Sequence, residues 1–171
     1  MKFSDIPQFT RGAVYAVDVP WNQIEGWIQS FNDLKNGIEL DPDFQREHVW
    51  TLTQQERYIE FLLRGGKSSK DIYWNCFGWQ KSYNGPMVLV DGKQRLQSIR
   101  LFLENKIKVF GLFFNEFEGC PSLMDATLRF HVNDLKTKAE VIQWYLDLNF
   151  GGTPHTDSER QRVECLLKMY N

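Results

Sequence analysis

Residues 87–95 read MVLVDGKQR, and this stretch decides the fold class. The run 87–90 is short and wholly apolar, which is typical of a β-strand buried on both faces. It leads directly into Asp91-Gly92 and then into a helical pattern in which Leu96, Ile99 and Leu103 share one face. The sequence therefore predicts a buried strand, a tight turn and an amphipathic helix in succession.

Strand and helix patterns alternate on both sides of this unit. Predicted strands cover residues 13–19, 71–79, 87–90, 107–114 and 128–132. Five helices are predicted. The first runs from Pro20 as far as Asn36-Gly37, the second covers residues 54–63, and the third follows Gly92. The fourth covers residues 138–148, and the fifth begins at Thr156. We expect capping boxes at Thr53 with Glu56 and at Thr156 with Glu159. Interleaved strands and helices predict one α/β (α+β) domain over residues 1–171, with a mixed sheet flanked by helices.

Composition limits the class of protein. The chain has 171 residues, 42% hydrophobic and 25% charged, which fits one globular domain with a sizeable core. Its net charge of −2 gives no global signal for nucleic acid. No apolar run approaches the roughly 18 residues that span a bilayer, and the N-terminus lacks a signal-peptide core, so we expect a cytoplasmic protein. The three cysteines are widely spaced, which favours reduced thiols over a zinc site.

The turn at residues 91–95 has the features of a phosphate site. A helix N-terminus presents unpaired N–H groups, and Gly92 lets a phosphate approach the main chain. Lys93 and Arg95 add positive charge, Asp91 can hold Mg²⁺ or orient water, and Gln94 can position a nucleophile. The alternative is that Asp91 caps the helix and Arg95 lies on a solvated face; local physics leaves both open. The string is not a P-loop.

Three segments together resemble a known family. Residues 91–96 (DGKQRL) resemble the DGQQR motif of the ParB/sulfiredoxin-like domain at the N-terminus of GmrSD-type modification-dependent restriction enzymes and related phage-defence proteins. Residues 41–50 (DPDFQREHVW) resemble the FQR…VW motif of that family. Residues 149–154 (NFGGTP), with Glu159, are similar to its late stretch. The resemblance covers residues 10 to 165 and keeps the order of the motifs.

The resemblance implies a ParB-like fold that binds a nucleoside triphosphate (NTP) and hydrolyses it with a divalent metal such as Mg²⁺. The positions that carry over are Gln45, Arg46, Asp91, Gly92, Gln94 and Arg95. Asp91, Gln94 and Arg95 are the implied catalytic residues, and Asp91 is the implied metal ligand. Gly92, Arg95, Gln45 and Arg46 are the implied nucleotide-binding residues. Lys93 replaces the usual Gln and adds a positive charge at the phosphate site.

Other functions stay open beside the NTPase. The restriction enzymes carry a nuclease domain after this one, whereas here the sequence ends at Asn171 and its histidines, His48, His131 and His155, are scattered. A packing or surface role is favoured for His48 and His131, and Trp50 is the tryptophan best placed to border a ligand. The alternatives are a non-hydrolysing module that binds nucleotide, DNA or a separate effector subunit, and, ranked last, a DNA nuclease. The setting would be the cytoplasm of a bacterial or phage-infected cell.

Overall fold

The computed structural model describes residues 2–45, 49–79, 81, 85–119, 126–149 and 157–170. Five strands lie in these ranges: β1 (Tyr15–Pro20), β2 (Ile38–Glu39), β3 (Asp71–Asn75), β4 (Met87–Asp91) and β5 (Thr127–Asn133). The helices are α1 (Ile24–Asn32), α2 (Leu52–Leu63), α3 (Lys93–Leu103), α4 (Lys138–Asn149) and α5 (Asp157–Tyr170). No helix in these ranges is long and apolar enough to cross a membrane.

The strands form one mixed sheet in the order β1-β5-β3-β4-β2. Parallel pairing joins β3 to β5 and β2 to β4, while β1 with β5 and β3 with β4 pair antiparallel. The predicted α/β class with a mixed sheet is therefore confirmed. Because β3 lies between β4 and β5, the end of β4 and His131 of β5 are brought to the same part of the sheet.

Helices cover both faces of this sheet. On one face, Trp74 and Leu89 pack with buried side chains of α1, α2 and α3. On the other face, Val90 packs with Ile142 and Trp144 of α4 and with Val163 of α5. Since consecutive side chains of a strand point to opposite faces, Leu89 and Val90 enter different cores. The predicted burial of this apolar strand on both faces is confirmed.

The helix starts differ from the predicted ones. Thr51, not Thr53, caps α2: its side chain accepts from the Gln54 N–H, and the Gln54 side chain accepts in return from the Thr51 N–H. Thr53 with Glu56 as a capping box is thus wrong, because the helix begins two residues earlier and offers an equivalent pair there. After Pro20 the chain makes a 3₁₀ turn before α1, which ends at Asn32 instead of Asn36. The predicted start at Thr156 lies outside the described residues.

The strand predicted over residues 107–114 is wrong. A single bridge joins Val109 to Leu112 across a tight turn, and a 3₁₀ helix, Phe114–Glu116, follows. Phe110 (φ 52°) and Gly111 (φ 80°) both adopt left-handed backbone conformations, which reverse the chain. The strand predicted over residues 71–79 likewise ends early, at Asn75. Apolar and aromatic content alone does not separate an exposed turn from a strand.

Two of the three cysteines lie in the described residues, and both are free thiols, Cys76 buried and Cys165 exposed. Burial, together with the negative charge of Asp134, raises the pKa of the Cys76 thiol to about 11. Its thiol is therefore protonated at neutral pH and inert as a nucleophile.

Candidate functional site

The turn between β4 and α3 strongly favours glycine, both in its backbone conformation and in the space beside it. Gly92 has φ 101° and occupies the N-cap position, and no side chain caps the helix among the described residues. A Cβ built on Gly92 would lie 2.6 Å from Ile72 Cδ1 and 3.2 Å from Ile72 Cα. The predicted strand–turn–helix is confirmed. The alternative in which Asp91 caps α3 is wrong, because the N-cap residue is Gly92.

Both cations of the motif are held beside a carboxylate at the start of α3. Arg95 Nη2 donates to Asp91 Oδ2 at 2.5 Å, and the two side chains are 20% and 30% exposed. Lys93 Nζ forms an ion pair with Asp41. Arg95 is therefore oriented by Asp91 instead of extending into solvent. The sequence spacing of four residues between them is that of neighbours along a helix.

Gln94 connects α3 to the segment that follows the FQR motif. It is buried, and its Oε1 accepts hydrogen bonds from the backbone N–H groups of Val49 and Trp50, both at 3.0 Å. The ring of Trp50 packs edge-on against Tyr58, with centroids 5.3 Å apart. These contacts give Gln94 a bracing role between the two motifs.

Replacing Gln94 with leucine tests that bracing role. The change keeps the bulk of the side chain but leaves two backbone N–H groups without their acceptor. We expect the free energy of unfolding to fall by about 1–2 kcal/mol, as measured by urea denaturation. A variant of unchanged stability would show that the two hydrogen bonds contribute nothing to the free energy of unfolding and that the role of Gln94 lies elsewhere.

The FQR motif places Gln45 beside β4. Its Nε2 donates to the Leu89 carbonyl at 2.6 Å, two residues before Asp91. Its Oε1 is buried and finds no hydrogen-bond partner among the described residues. Arg46 and His48, which the sequence also singled out, lie outside the described residues. The described part of the motif is therefore attached to β4 close to the start of α3.

The two C-terminal helices hold this motif from the other side. The Arg162 guanidinium on α5 donates to three consecutive carbonyls, those of Asp43 at 2.5 Å, Phe44 at 3.3 Å and Gln45 at 3.1 Å. Lys138 on α4 donates to the Asp43 carboxylate at 2.6 Å. The position of the described part of the FQR motif thus depends on residues 95 to 119 positions away.

A third group of polar residues lies at the same end of the sheet. His131 Nε2 lies 2.6 Å from Asp71 Oδ1, and the His131 ring stacks on Tyr73 with centroids 4.8 Å apart. Tyr73 pairs with Asp91 on one side and with His131 on the other. Burial raises the pKa of Tyr73, as do the charges of Asp71 and Asp91, while Arg95 opposes them. Sequence reasoning missed this group because only the pairing of β3 with β4 and β5 assembles it.

A metal would find only part of its ligands here. In the described ranges, no group of three or more His, Cys, Asp or Glu side chains is arranged to hold a metal ion. Asp91 offers one carboxylate, and Arg95 already occupies one of its oxygens. That donor set suits Mg²⁺ that takes its other ligands from water and substrate phosphates, which is how Mg²⁺ is commonly bound.

The comparison with known families decides the relationship. The family model described as the N-terminal domain of the GmrSD restriction endonuclease matches residues 28–123, more than half of the chain. The chain belongs to this family. The GmrSD match includes the FQR motif and the whole β4–α3 unit, whereas β1, β5, α4 and α5 lie outside it. Searches of the curated proteins and of the solved structures found no match.

Membership in the GmrSD family confirms the resemblance drawn from the sequence motifs. It indicates a function related to restriction and phage defence. The mixed sheet with helices on both faces agrees with the ParB-like α+β domain that the resemblance implies.

Proposed function

We propose that the start of α3 binds the phosphates of a nucleoside triphosphate and that the domain hydrolyses it with Mg²⁺. The observation that carries the proposal is the start of α3 at Gly92, a residue with no side chain of its own to cap the helix, with the Asp91–Arg95 ion pair beside it. The helix dipole and the close approach that Gly92 allows favour an anion at this position. Arg95 and Lys93 supply the charge that a triphosphate needs.

The Asp91–Arg95 ion pair suits exchange with a bound Mg²⁺–nucleotide. Arg95 is always charged and can grip two phosphate oxygens, while Asp91 is then available to the metal. Each charge gains a new partner as it loses the old one, so neither is left unpaired. When bound, Mg²⁺ would neutralise the phosphate charge and polarise the phosphoryl group. Lys93 can exchange Asp41 for phosphate in the same way.

Gln45 and Arg46 belong to the proposed site through the FQR motif. The Gln45 side chain lies against Leu89 and fixes the motif beside β4. Arg46, which lies outside the described residues, is proposed as a nucleotide-binding residue because the family motif carries it over. Gln94 supports the same arrangement through its contacts with Val49 and Trp50.

Arg95→Ala and Asp91→Ala test the proposal. We expect Arg95→Ala to weaken NTP binding about tenfold or more, since a charge-assisted hydrogen bond to phosphate is lost. Asp91→Ala should abolish Mg²⁺-dependent phosphate release. Titration calorimetry with a non-hydrolysable NTP analogue and phosphate-release assays with the four NTPs measure the two effects.

Arg129→Ala is the control, because Arg129 lies half-exposed on β5 and, among the described residues, its side chain makes only a loose contact with Asp18, 3.9 Å away. Wild-type protein that binds no NTP, or variants that match it, would refute the proposal.

A non-hydrolysing nucleotide switch is the second candidate. Asp91 and Gln94, the residues that would act on metal and water during hydrolysis, already have partners in the protein. Asp91 pairs with Arg95, and Gln94 accepts hydrogen bonds from Val49 and Trp50, which favours binding without hydrolysis. Stabilisation by NTP in a thermal-shift assay, without phosphate release, would support the switch over the enzyme.

A further inference from the structure

One row of residues crosses three neighbouring strands next to the proposed phosphate site. Asp91 on β4 pairs with Tyr73 on β3, and Tyr73 pairs with His131 on β5. Neighbouring strands lie about 4.8 Å apart, so the Cα atoms of Asp91 and His131 are roughly 10 Å apart. That distance places His131 close to whatever binds at the start of α3.

A second contact joins the two groups. A Cβ atom built on Gly92 would lie only 3.3 Å from the carbonyl oxygen of Asp71, so Gly92 itself lies close to the backbone of Asp71. The turn of the motif therefore packs on the backbone of the residue that holds His131. Asp71 and His131 are 42% and 20% exposed, so a small molecule can reach the pair.

The contacts of His131 fix its orientation. Nε2 faces the Asp71 carboxylate, which can accept a hydrogen bond from it, and a neutral imidazole that donates there keeps a lone pair on Nδ1. The ring stacks on Tyr73 at an angle of 15°, and Tyr73 packs edge-on against Trp144. A carboxylate also orients the imidazole general base of the serine hydrolases, but there it bonds Nδ1 and the base is Nε2, the reverse of the arrangement at His131.

The other candidates for a base are less suitable. The Asp91 carboxylate is already engaged by Arg95. Gln94 has an amide, which is not basic at neutral pH, and its Oε1 already accepts two backbone hydrogen bonds. His131 is the group in this part of the described structure whose chemistry matches the task.

We propose that His131 is the general base for NTP hydrolysis, with Asp71 and Tyr73 as its positioning residues; this rests on the function proposed above. The oxygen of a water molecule forms a bond to the γ-phosphorus. The bond from that phosphorus to the β,γ-bridging oxygen breaks, and the nucleoside diphosphate leaves with the electron pair. Nδ1 of His131 takes the proton from the attacking water. The products are diphosphate nucleotide and inorganic phosphate.

His131→Phe is the first test, because phenylalanine keeps a ring against Tyr73 but cannot accept a proton. We expect kcat for phosphate release to fall about a hundredfold or more, the usual contribution of a general base. The affinity for a non-hydrolysable NTP analogue should stay at the wild-type value. Asp71→Asn should lower kcat in the same direction, since the imidazole loses its orienting carboxylate.

Imidazole rescue separates chemistry from packing. His131→Ala leaves a space beside Tyr73, and added imidazole should restore phosphate release in this variant but not in His131→Phe. Arg129→Gln, on the same strand, is the control and should leave kcat unchanged. Thermal unfolding of each variant shows whether it is folded, and the rescue is measured within one protein preparation.

The outcomes separate the two proposals. If His131→Phe keeps wild-type kcat, or loses analogue affinity and kcat together, His131 is not the base. Failure of imidazole to rescue His131→Ala also counts against it. Wild-type protein that binds NTP but releases no phosphate overturns the inference about His131 and leaves nucleotide binding standing. Wild-type protein that binds no NTP overturns both proposals.

Discussion

Replacing Gly92 with alanine is expected to lower the free energy of unfolding by about 2–4 kcal/mol, from left-handed backbone strain and overpacking together. The backbone at this position has φ 101°, which a side chain disfavours. The new Cβ would also lie 2.6 Å from Ile72 Cδ1 and 3.2 Å from Ile72 Cα. The Cδ1 atom can rotate away, whereas the Cα belongs to β3 in the centre of the sheet and cannot.

Gly65→Ala is the matched control for the strain alone. Gly65 also has a positive φ, 85°, but nothing lies within 4 Å of the Cβ it would acquire. We expect Gly65→Ala to cost about 1 kcal/mol, the backbone contribution without the clash. Urea denaturation of the two variants measures the difference. Equal losses would show that the contact between Gly92 and Ile72 has no energetic weight.

Gly92→Ala should also affect the proposed site in the protein that still folds. To relieve the clash, the start of α3 must move away from β3, and Arg95 moves with it. The Asp91–Arg95 pair and the closeness of the helix start to Asp71 both depend on that packing. NTP affinity should therefore fall further than in Gly65→Ala at a temperature where both are folded.

Local features of the site could be predicted from the sequence. The apolar run before Asp91 and the glycine after it specify strand, turn and helix through contacts within a few residues. What the motif binds was not determined by these patterns, and the roles proposed for its residues remain predictions.

Features that depend on strand order could not be predicted. Asp71 and His131 are sixty positions apart, and they meet because β3 and β5 pair in parallel. A strand pattern gives each residue a face of the sheet but not a neighbouring strand. His131 therefore looked like a packing residue until the sheet placed it one strand from Tyr73 and two from Asp91. The ion pair of Lys93 with Asp41 depends in the same way on β2 lying beside β4.

Arg162→Met is expected to lower the free energy of unfolding by about 2–3 kcal/mol, since charged hydrogen bonds to three carbonyls are lost. The carbonyls of Phe44 and Gln45 are then left near the core with fewer donors. Methionine keeps much of the packing of the arginine stem, so the change reports chiefly on the hydrogen bonds.

Arg160→Met, on the same helix, is the control for Arg162→Met. Among the described residues, Arg160 pairs only with Glu164 one turn along α5, at 2.9 Å, and such an exposed pair contributes about 0.3–0.5 kcal/mol. Thermal and urea unfolding compare the two variants, and limited proteolysis reports on the FQR motif. Cleavage near Gln45 should accelerate in Arg162→Met alone.

The same pair of variants tests whether α5, which lies outside the GmrSD match, is part of the proposed site. If Arg162 holds the FQR motif in place for nucleotide, Arg162→Met should weaken binding of an NTP analogue although the side chain touches only backbone. Arg160→Met should bind as the wild type does. Loss of stability with unchanged affinity would instead make α5 a purely structural support, and the nucleotide site would then depend on the β4–α3 unit alone.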